Sequence, residues 1–225
     1  MKILISDSFD PLLAGRLARF GEVTTDKSAL PECDVVLIRS KTKATPEYIA
    51  GAPRLKIIIR GGVGLDNVDA AAASARGIKV FNTPEASSVA VAELAFALLL
   101  AIPSKIIEGH MSMKEGKWLK SELKRTELFQ KTLGIIGIGR IGTEIALRAH
   151  AFGMKILAAD PDVKHHTLAE MTTLDDLCAR SDYITLSLPL NEGTRGIVDA
   201  RLIDKMKTGV VIVNTGRGKC VVEAD

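Results

Sequence analysis

Three glycines and one aspartate form the most informative spacing in the sequence. Gly137, Gly139 and Gly142 give the pattern G-x-G-x-x-G after an apolar run, and Asp160 ends the next apolar run. Glycines at these places allow a tight turn, close approach of a pyrophosphate, and packing of a helix on a strand. A helix beginning at Arg140 directs its first N–H groups and positive dipole end at the same phosphates. The spacing indicates a dinucleotide site, and a glycine turn that serves packing alone is the alternative.

Asp160 also predicts which dinucleotide binds. Its carboxylate can accept hydrogen bonds from a ribose diol. It would repel a 2′-phosphate by about 4 kcal/mol per unit charge at about 4 Å and an effective dielectric near 20. We therefore predict NAD rather than NADP as the cofactor.

A second glycine-rich stretch could bind an anion. Arg60 follows an apolar run, and residues 61–64 include three glycines. Backbone N–H groups of such a turn can converge on a substrate carboxylate beside the guanidinium. An ordinary glycine turn before a helix that is capped by Asp66 or Asn67 explains the same residues.

Two further arginines stand where strands are expected to end. Arg39 and Ser40 follow the apolar run Val35 to Ile38, and Arg217 lies in Asn214–Gly218 after another apolar run. In open α/β sheets, ligands bind beyond the carboxyl ends of the strands. Arg217 is therefore the best catalytic candidate in the chain, although a loop arginine that contacts only solvent is the usual case.

The elements that position these residues alternate between apolar strands and amphipathic helices, which predicts an α/β fold with parallel sheets covered by helices on both faces. The glycine turn begins past the midpoint, which favours two domains, 1–97 and 98–225. In the first we expect strands at residues 3–6, 35–38, 55–59 and 78–81 and helices at 12–20, 46–50 and 68–75. In the second we expect the strand order 3-2-1-4-5-6, with a short third strand near Met171 and Val210 to Val213 as strand five.

The composition argues against several classes of partner. The 30 basic and 27 acidic residues give a formal net charge of +3, which is too balanced to indicate nucleic acid binding. The three cysteines have neither disulfide nor metal-ligand spacing, and no signal-peptide layout opens the chain. The longest apolar run, Val89 to Pro103, carries Glu93 and is too short for a membrane span. We expect a cytoplasmic protein with no metal, nucleic acid or membrane partner.

Two segments outside the glycine-rich motifs carry structural expectations. Val89 to Ile102 is apolar almost all round, so we expect a helix buried between domains or against another subunit. Residues 104–131 are polar and are expected to form a crossover segment that leads into the glycine turn.

Six motifs occur in the order found in the D-isomer-specific 2-hydroxyacid dehydrogenases, and the chain resembles that family over its whole length. The motifs are Arg60–Asp69, Asn82–Pro84, Lys114–Trp118, Gly137–Gly142, Ser187–Leu190 and Asn214–Gly218. The resemblance implies two doubly wound domains, a flavodoxin-like substrate domain and a Rossmann cofactor domain, with the active site in the cleft between them. Within the family the likeness is greatest to the phosphoglycerate dehydrogenases.

The resemblance also implies a role for individual residues. Arg217 matches the arginine that binds the substrate carboxylate and polarises the C2 carbonyl. The implied substrate-binding residues are Arg39, Ser40, Arg60, Gly62, Val63 and Gly64. The implied cofactor-binding residues are Gly137, Gly139, Arg140, Ile141, Gly142, Asp160, Pro189 and Thr215. The helix at Val89 to Ile102 resembles the dimerisation element of the family, which implies a homodimer.

The reaction implied by the resemblance is reversible hydride transfer between NAD and a small 2-hydroxy or 2-oxo acid. The substrate is expected to be 3-phosphoglycerate, in serine biosynthesis, because Arg39, Lys41 and Lys43 favour a phosphorylated acid. A glyoxylate or hydroxypyruvate reductase and a non-catalytic NAD-binding regulator stay open as alternatives.

Three features depart from the family pattern. Ser187 stands where a histidine is usual, and Lys219 where a second glycine is usual. The glutamate and the acid/base histidine of the family lie downstream of the arginine motif, and this sequence stops at Asp225. We therefore expect a second domain that is incomplete at its C-terminus, with 210–213 as an open edge and 222–225 as the start of a helix. We expect the 225 residues to be part of a longer enzyme and inactive alone.

Overall fold

The computed structural model describes all residues from Met1 to Asp225, and they form two compact units, Met1–Ser87 and Ser88–Asp225. The first unit is a five-stranded parallel sheet with the order β2-β1-β3-β4-β5. Its strands are Lys2–Ile5 (β1), Glu22–Thr24 (β2), Val35–Ile38 (β3), Ile57–Arg60 (β4) and Lys79–Asn82 (β5). Its α-helices are Leu13–Leu17 (α1), Pro46–Ala50 (α2) and Ala70–Ala75 (α3). This is the flavodoxin-like order, so the predicted fold of the first part is confirmed.

Two local predictions for the first unit are wrong. Strand β2 was not expected, because its three residues contain only one aliphatic side chain and pair with β1 alone at the sheet edge. The helix expected from Val68 begins at Ala70 as α3, and neither Asp66 nor Asn67 caps it. The cap is Asp69, whose side chain accepts a hydrogen bond from Ala72 N at 2.8 Å.

The second unit is also a five-stranded parallel sheet, with the order β10-β9-β6-β7-β8. Its strands are Thr132–Ile136 (β6), Lys155–Ala159 (β7), Glu170–Met171 (β8), Tyr183–Leu186 (β9) and Val211–Asn214 (β10). Its α-helices are Ser88–Ala101 (α4), Ile106–Lys114 (α5), Arg140–Ala151 (α6), Leu174–Arg180 (α7) and Ala200–Ile203 (α8). Numbered within the unit, the strands have the order 3-2-1-4-5, which is the first five positions of the predicted order 3-2-1-4-5-6, with β8 as the short third strand and β10 at an edge.

Buried aliphatic runs explain why these segments form parallel strands. All four residues of β3 and all four of β9 are buried, as expected for strands covered on both faces. One face of the second sheet packs against α4 and α6 through a core that includes Phe96, Leu99 and Ile145. The opposite face packs on Leu177 of α7 and Leu202 of α8.

Helix α4 packs in the second unit, against α6 and β10. For this reason the division of the chain falls at Ser87, before the expected boundary at residue 97. Ala92, Ala95, Phe96 and Leu99 of α4 are buried, whereas the opposite side of the helix is exposed. No single helix is long and apolar enough to cross a membrane, and α4 with α5 meets that criterion only as a pair bent by 67°.

The second unit contains one helix that was not expected, and one prediction for it is wrong. The polar segment 104–131 contains α5, which the sequence did not indicate because Gly109 and several polar residues interrupt its apolar pattern. Residues 222–225 form a turn and not the start of a helix. The Val222 N–H donates to Val198 O at 2.9 Å, and Asp225 Oδ2 accepts from Ala200 N at 2.8 Å.

A half-buried acid, Asp182, joins strands at the amino end of the second sheet. Asp182 precedes β9 and accepts hydrogen bonds from Thr132 N at 2.8 Å and Lys207 Nζ at 2.9 Å. Burial raises the pKa of Asp182, but these hydrogen bonds and the nearby lysines outweigh it and hold the pKa below its usual value. Asp34 occupies the equivalent place before β3 in the first unit.

Candidate functional site

The three glycines of the turn between β6 and α6 have different roles. Gly137 has a φ of +87°, and a Cβ there would lie 2.8 Å from Ser187 O. A Cβ at Gly142 would overlap Gly137 O. A Cβ at Gly139, in contrast, would meet nothing within 4 Å. Packing therefore explains two of the glycines, and the third keeps the space over the turn open, as the approach of a pyrophosphate requires.

Asp160 lies against this turn, as predicted. Its Oδ2 accepts from Ile138 N at 2.9 Å, and its Oδ1 accepts from Asp162 N at 2.9 Å. A carboxylate offers about four acceptor sites, so about two remain for the hydroxyls of a ribose. The same side chain thus fixes the turn and can still accept from a diol.

The amino end of α6 completes a site that fits a dinucleotide. The helix begins at Arg140, and the residue before it, Gly139, has no side chain to accept from the first-turn N–H groups. Such groups and the positive end of the helix dipole favour an anion. Arg140 is exposed at this turn, and Ile141 is half-buried against the core.

A histidine that the sequence did not single out braces the turn. Leu168 N donates to His166 Nδ1 at 3.2 Å, so the ring proton belongs on Nε2, which lies 3.2 Å from Thr143 Oγ1. Thr143 Oγ1 in turn lies 3.4 Å from Ile138 O. This contact links the segment after Asp160 to the glycine turn, and no spacing in the sequence indicates it.

Two hydroxyl groups directly follow the carboxyl ends of β9 and β10. The strand register ends with Asn214 paired to Leu186, and Thr215 and Ser187 are the next residues along the two chains. Ser187 Oγ and Thr215 Oγ1 are buried, and neither has a hydrogen-bond partner within the protein. Buried hydroxyls usually have one, so both fit the polar groups of a bound cofactor. Pro189, two residues after Ser187, is exposed.

The loop after β10 fixes the backbone of Arg217. Asn214 Nδ2 donates to Arg217 O at 3.0 Å, and Asn214 Oδ1 accepts from Gly216 N at 3.0 Å. Cys220 N donates to the same Arg217 carbonyl at 3.0 Å. Arg217 is half-buried, and its Nη1 donates to Gly216 O at 3.3 Å. The predicted catalytic arginine is therefore held at the carboxyl edge of the second sheet.

The predicted substrate residues lie at the carboxyl edge of the first sheet. Ile38 pairs with Arg60, so Arg39 and Arg60 end neighbouring strands. The guanidinium of Arg39 lies 5.9 Å from the centre of the Phe9 ring, and its Nη1 donates to Ser8 O at 3.4 Å. Ser40 next to it is exposed.

The glycine-rich loop after Arg60 is only partly available as an anion nest. Gly62 has a φ of +141°, and a side chain there would overlap the Arg60 guanidinium. Gly62 N already donates to Thr83 Oγ1 at 2.8 Å, and Asn82 Nδ2 donates to Val63 O at 2.6 Å. The Gly62 amide is thus used inside the protein.

The fold and the glycine turn with its acid define a dinucleotide-binding protein of the doubly wound α/β class. The family model described as "D-isomer specific 2-hydroxyacid dehydrogenase, NAD binding domain" matches residues 96–225. The chain belongs to the D-isomer specific 2-hydroxyacid dehydrogenases, and the cofactor of its second unit is NAD. The family predicted from the motifs is confirmed.

Named relatives include two different enzymes. The chain is 52% identical over 195 residues to a hydroxypyruvate reductase of Thermotoga maritima, covering 86% of this chain and 64% of that protein. It is 43% identical over 234 residues to a D-3-phosphoglycerate dehydrogenase of Mycobacterium bovis, covering 99% of this chain and 44% of that protein.

Solved structures agree in fold over the whole chain. A D-lactate dehydrogenase of Aquifex aeolicus, complexed with NAD and lactic acid, has a TM-score of 0.88 at 30% identity. The match covers 99% of this chain and 71% of that one. An acyclic imino acid reductase in complex with NADPH and D-Arg has a TM-score of 0.90 at 29% identity, over 100% of this chain and 77% of that one.

Proposed function

We propose that this protein is an NAD-dependent dehydrogenase of a D-2-hydroxy acid and that its substrate is 3-phosphoglycerate, in serine biosynthesis. The observation that carries the choice of substrate is the group of cations at the carboxyl edge of the first sheet. Arg39 follows β3 beside Arg60, and Lys41 and Lys43 are exposed in the same loop. A phosphorylated acid carries more negative charge than an unphosphorylated one and gains more from such a group.

In the second unit, the cofactor would be held by the glycine turn and Asp160. The first-turn N–H groups of α6 and Arg140 would bind the pyrophosphate, and Asp160 the ribose diol. When bound, NAD supplies the site that accepts or donates a hydride. Ser187 Oγ and Thr215 Oγ1 would bind polar groups of the cofactor, with Ile141 and Pro189 as apolar contacts.

Arg217 would bind the substrate carboxylate and polarise the C2 carbonyl. Its positive charge then lies where negative charge develops on oxygen, which for one well-placed donor is worth about 3 to 4 kcal/mol. In the first unit, Arg60 and the N–H groups of Val63 and Gly64 would bind the acid, because the Gly62 amide donates to Thr83.

The general acid/base would not come from any of the four histidines in this sequence. We propose that the 225 residues bind NADH but turn over a 2-oxo acid at a negligible rate. General acid/base groups contribute about 10² to 10⁴ in rate.

We further propose a homodimer through α4. The exposed side of this helix carries Val89, Leu94 and Leu98, which are 41–55% exposed, and Ile102 directly follows it. Large exposed apolar patches mark protein interfaces. A reducing compartment such as the cytoplasm suits the three cysteines, which are all buried and unpaired with one another.

A hydroxypyruvate reductase is the second candidate, because the Thermotoga maritima relative is 52% identical to this chain and the phosphoglycerate dehydrogenase of Mycobacterium bovis is 43% identical. D-glycerate and D-3-phosphoglycerate are a matched pair of ligands that differ only in the phosphate. Isothermal titration calorimetry of both acids, with NAD⁺ present, separates the candidates.

We expect D-3-phosphoglycerate to bind at least about tenfold more tightly, and Arg39→Ala to remove most of that difference. Equal affinity for the two acids in the wild-type chain would refute the phosphorylated substrate and favour the reductase.

A further inference from the structure

An acid at the end of β1 holds the turn that carries Arg39. Asp7 Oδ2 accepts from Arg39 N at 2.6 Å and from Thr42 N at 3.1 Å. Its Oδ1 accepts from Thr42 Oγ1 at 2.6 Å. Three donors of one short turn therefore converge on a single carboxylate, which is an acceptor-only group.

An amide holds the same turn through its carbonyl groups. Asn67 Nδ2 donates to Arg39 O and to Thr42 O, both at 2.6 Å. The two ends of the turn Arg39–Thr42 are thus fixed twice, by their N–H groups on Asp7 and by their C=O groups on Asn67. We call this pair of side chains the clamp.

The turn held by the clamp has one buried residue and three exposed ones. Thr42 is buried, and its Oγ1 lies 3.0 Å from Ser6 Oγ. Arg39, Ser40 and Lys41 are exposed. The turn presents its cation and hydroxyl to solvent on a backbone that has little freedom to move.

The charge of Asp7 argues that the clamp serves a purpose other than attracting a ligand. Burial raises the pKa of Asp7, but the hydrogen bonds from Thr42 and Arg39 outweigh it and hold the pKa below its usual value. The group is ionised at neutral pH, and a negative charge behind an anion site disfavours anion binding. Its contribution to such a site must come from the geometry that it imposes.

We propose that Asp7 and Asn67 are positioning residues that hold Arg39 and Ser40 in the arrangement that binds the phosphate group of the substrate. This proposal rests on the proposed function, because it assigns the turn to a phosphorylated acid. Neither residue touches the substrate itself. A turn that is already fixed loses less conformational entropy when it binds a ligand than a mobile turn does.

Two pairs of variants test the clamp against a general structural role. Asp7→Ala removes all three acceptor contacts, whereas Asp7→Asn keeps an oxygen for the two backbone N–H groups and offers Nδ2 to Thr42 Oγ1. Asn67→Ala removes the two donor contacts, and Asn67→Asp places an oxygen against two carbonyl oxygens. Asp10→Ala is the matched control, because Asp10 is an exposed acid nearby that accepts from Leu12 N and not from the turn.

The measurements are the Kd values of D-3-phosphoglycerate, D-glycerate and NADH, and the exchange rates of the Arg39 and Thr42 amide protons by NMR. We expect Asp7→Ala, Asn67→Ala and Asn67→Asp to weaken D-3-phosphoglycerate by about tenfold or more. D-glycerate and NADH should change by less than about threefold, and the two amides should exchange faster. Asp7→Asn should restore both affinity and protection, and Asp10→Ala should match the wild type.

Each failure has a separate meaning. Faster amide exchange without loss of phosphoglycerate affinity, or equal loss for both acids, overturns the positioning role. Unchanged exchange in Asp7→Ala overturns the clamp itself. If Asp7→Ala does not fold, the two Asn67 variants give the same comparison. A wild-type chain that does not distinguish the two acids refutes the proposed substrate, and the exchange rates still decide whether the clamp holds the turn.

Discussion

Replacing Asp160 with asparagine should change which dinucleotide the second unit prefers. Asp160→Asn removes one negative charge and keeps a carbonyl oxygen that can accept from Ile138 N, the contact that joins the acid to the glycine turn. The substituted amide loses the second backbone contact, from Asp162 N. The turn should therefore survive while the charge next to the ribose disappears.

The magnitude follows from the charges. NADPH differs from NADH by a 2′-phosphate of about −1.5 to −2 charges at pH 7. At about 4 Å, each unit of that charge is repelled by about 1 kcal/mol in bulk water and about 4 kcal/mol at an effective dielectric of 20. Asp160 is half-buried, so the lower part of this range applies. A repulsion of about 2 to 4 kcal/mol predicts NADH binding about 30-fold to 1000-fold tighter than NADPH.

The assay is a fluorescence titration of NADH and of NADPH against the wild type and Asp160→Asn, and it requires no turnover. The matched control is Asp162→Asn, which removes the same charge from an exposed side chain two residues away. We expect Asp160→Asn to bring the two Kd values within about threefold of each other, and Asp162→Asn to leave the wild-type ratio unchanged.

The reasoning fails if the wild type binds NADPH as tightly as NADH. It also fails if Asp160→Asn leaves the ratio unchanged while its thermal unfolding remains that of the wild type. A variant that loses both cofactors equally would mean that the acid acts only by holding the turn.

Three further experiments test the glycine turn, the half-buried acid Asp182 and the α4 interface. Gly142→Ala should lower the free energy of unfolding by about 1 to 3 kcal/mol, because its Cβ would overlap the backbone at Gly137. Gly139→Ala, whose Cβ meets open space, should keep the wild-type melting temperature and weaken NADH binding. A stable Gly142→Ala together with a destabilised Gly139→Ala that binds NADH normally would contradict this. Asp182→Asn should lower the free energy of unfolding at pH 7, because the pKa of Asp182 is depressed in the folded protein. The difference in unfolding free energy between the variant and the wild type, measured with urea, should shrink as pH falls through that pKa and vanish below it. Leu98→Lys should convert the dimer to a monomer in sedimentation velocity, whereas Leu147→Lys, on the exposed surface of α6, should leave it dimeric. An unchanged sedimentation coefficient for Leu98→Lys would refute the α4 interface.

The parts of the fold that were predictable have strong local signals. Central strands such as β3 and β9 are continuous aliphatic runs, and the glycine turn occupies its expected place between β6 and α6. Strand β2 and helix α5 have no such signal. Strand β2 is fixed by pairing with β1 at the edge, and the apolar side chains of α5 are exposed.

The candidate site divides in the same way. The spacing from Gly137 to Asp160 predicted that Asp160 would contact the glycine turn, because a parallel sheet brings the turn after one strand next to the end of the neighbouring strand. The clamp of Asp7 and Asn67 was not predictable, because Asp7 follows β1 whereas Asn67 lies in the loop between β4 and α3, and the two meet only after the first sheet has formed. Asn67 was one of two candidate helix caps in the alternative interpretation of the glycine-rich stretch, and its amide instead donates to the Arg39 turn.

The central claim is that the second unit binds NAD on its glycine turn with Asp160 at the ribose. The most direct measurement is an NMR titration of the isotope-labelled 225-residue chain with NAD⁺. The account predicts the largest amide shifts at Ile138 to Gly142 and at Asp160, with the next largest at Ser187 and Thr215. Saturable binding that leaves the amides of Ile138 to Gly142 unshifted would contradict it.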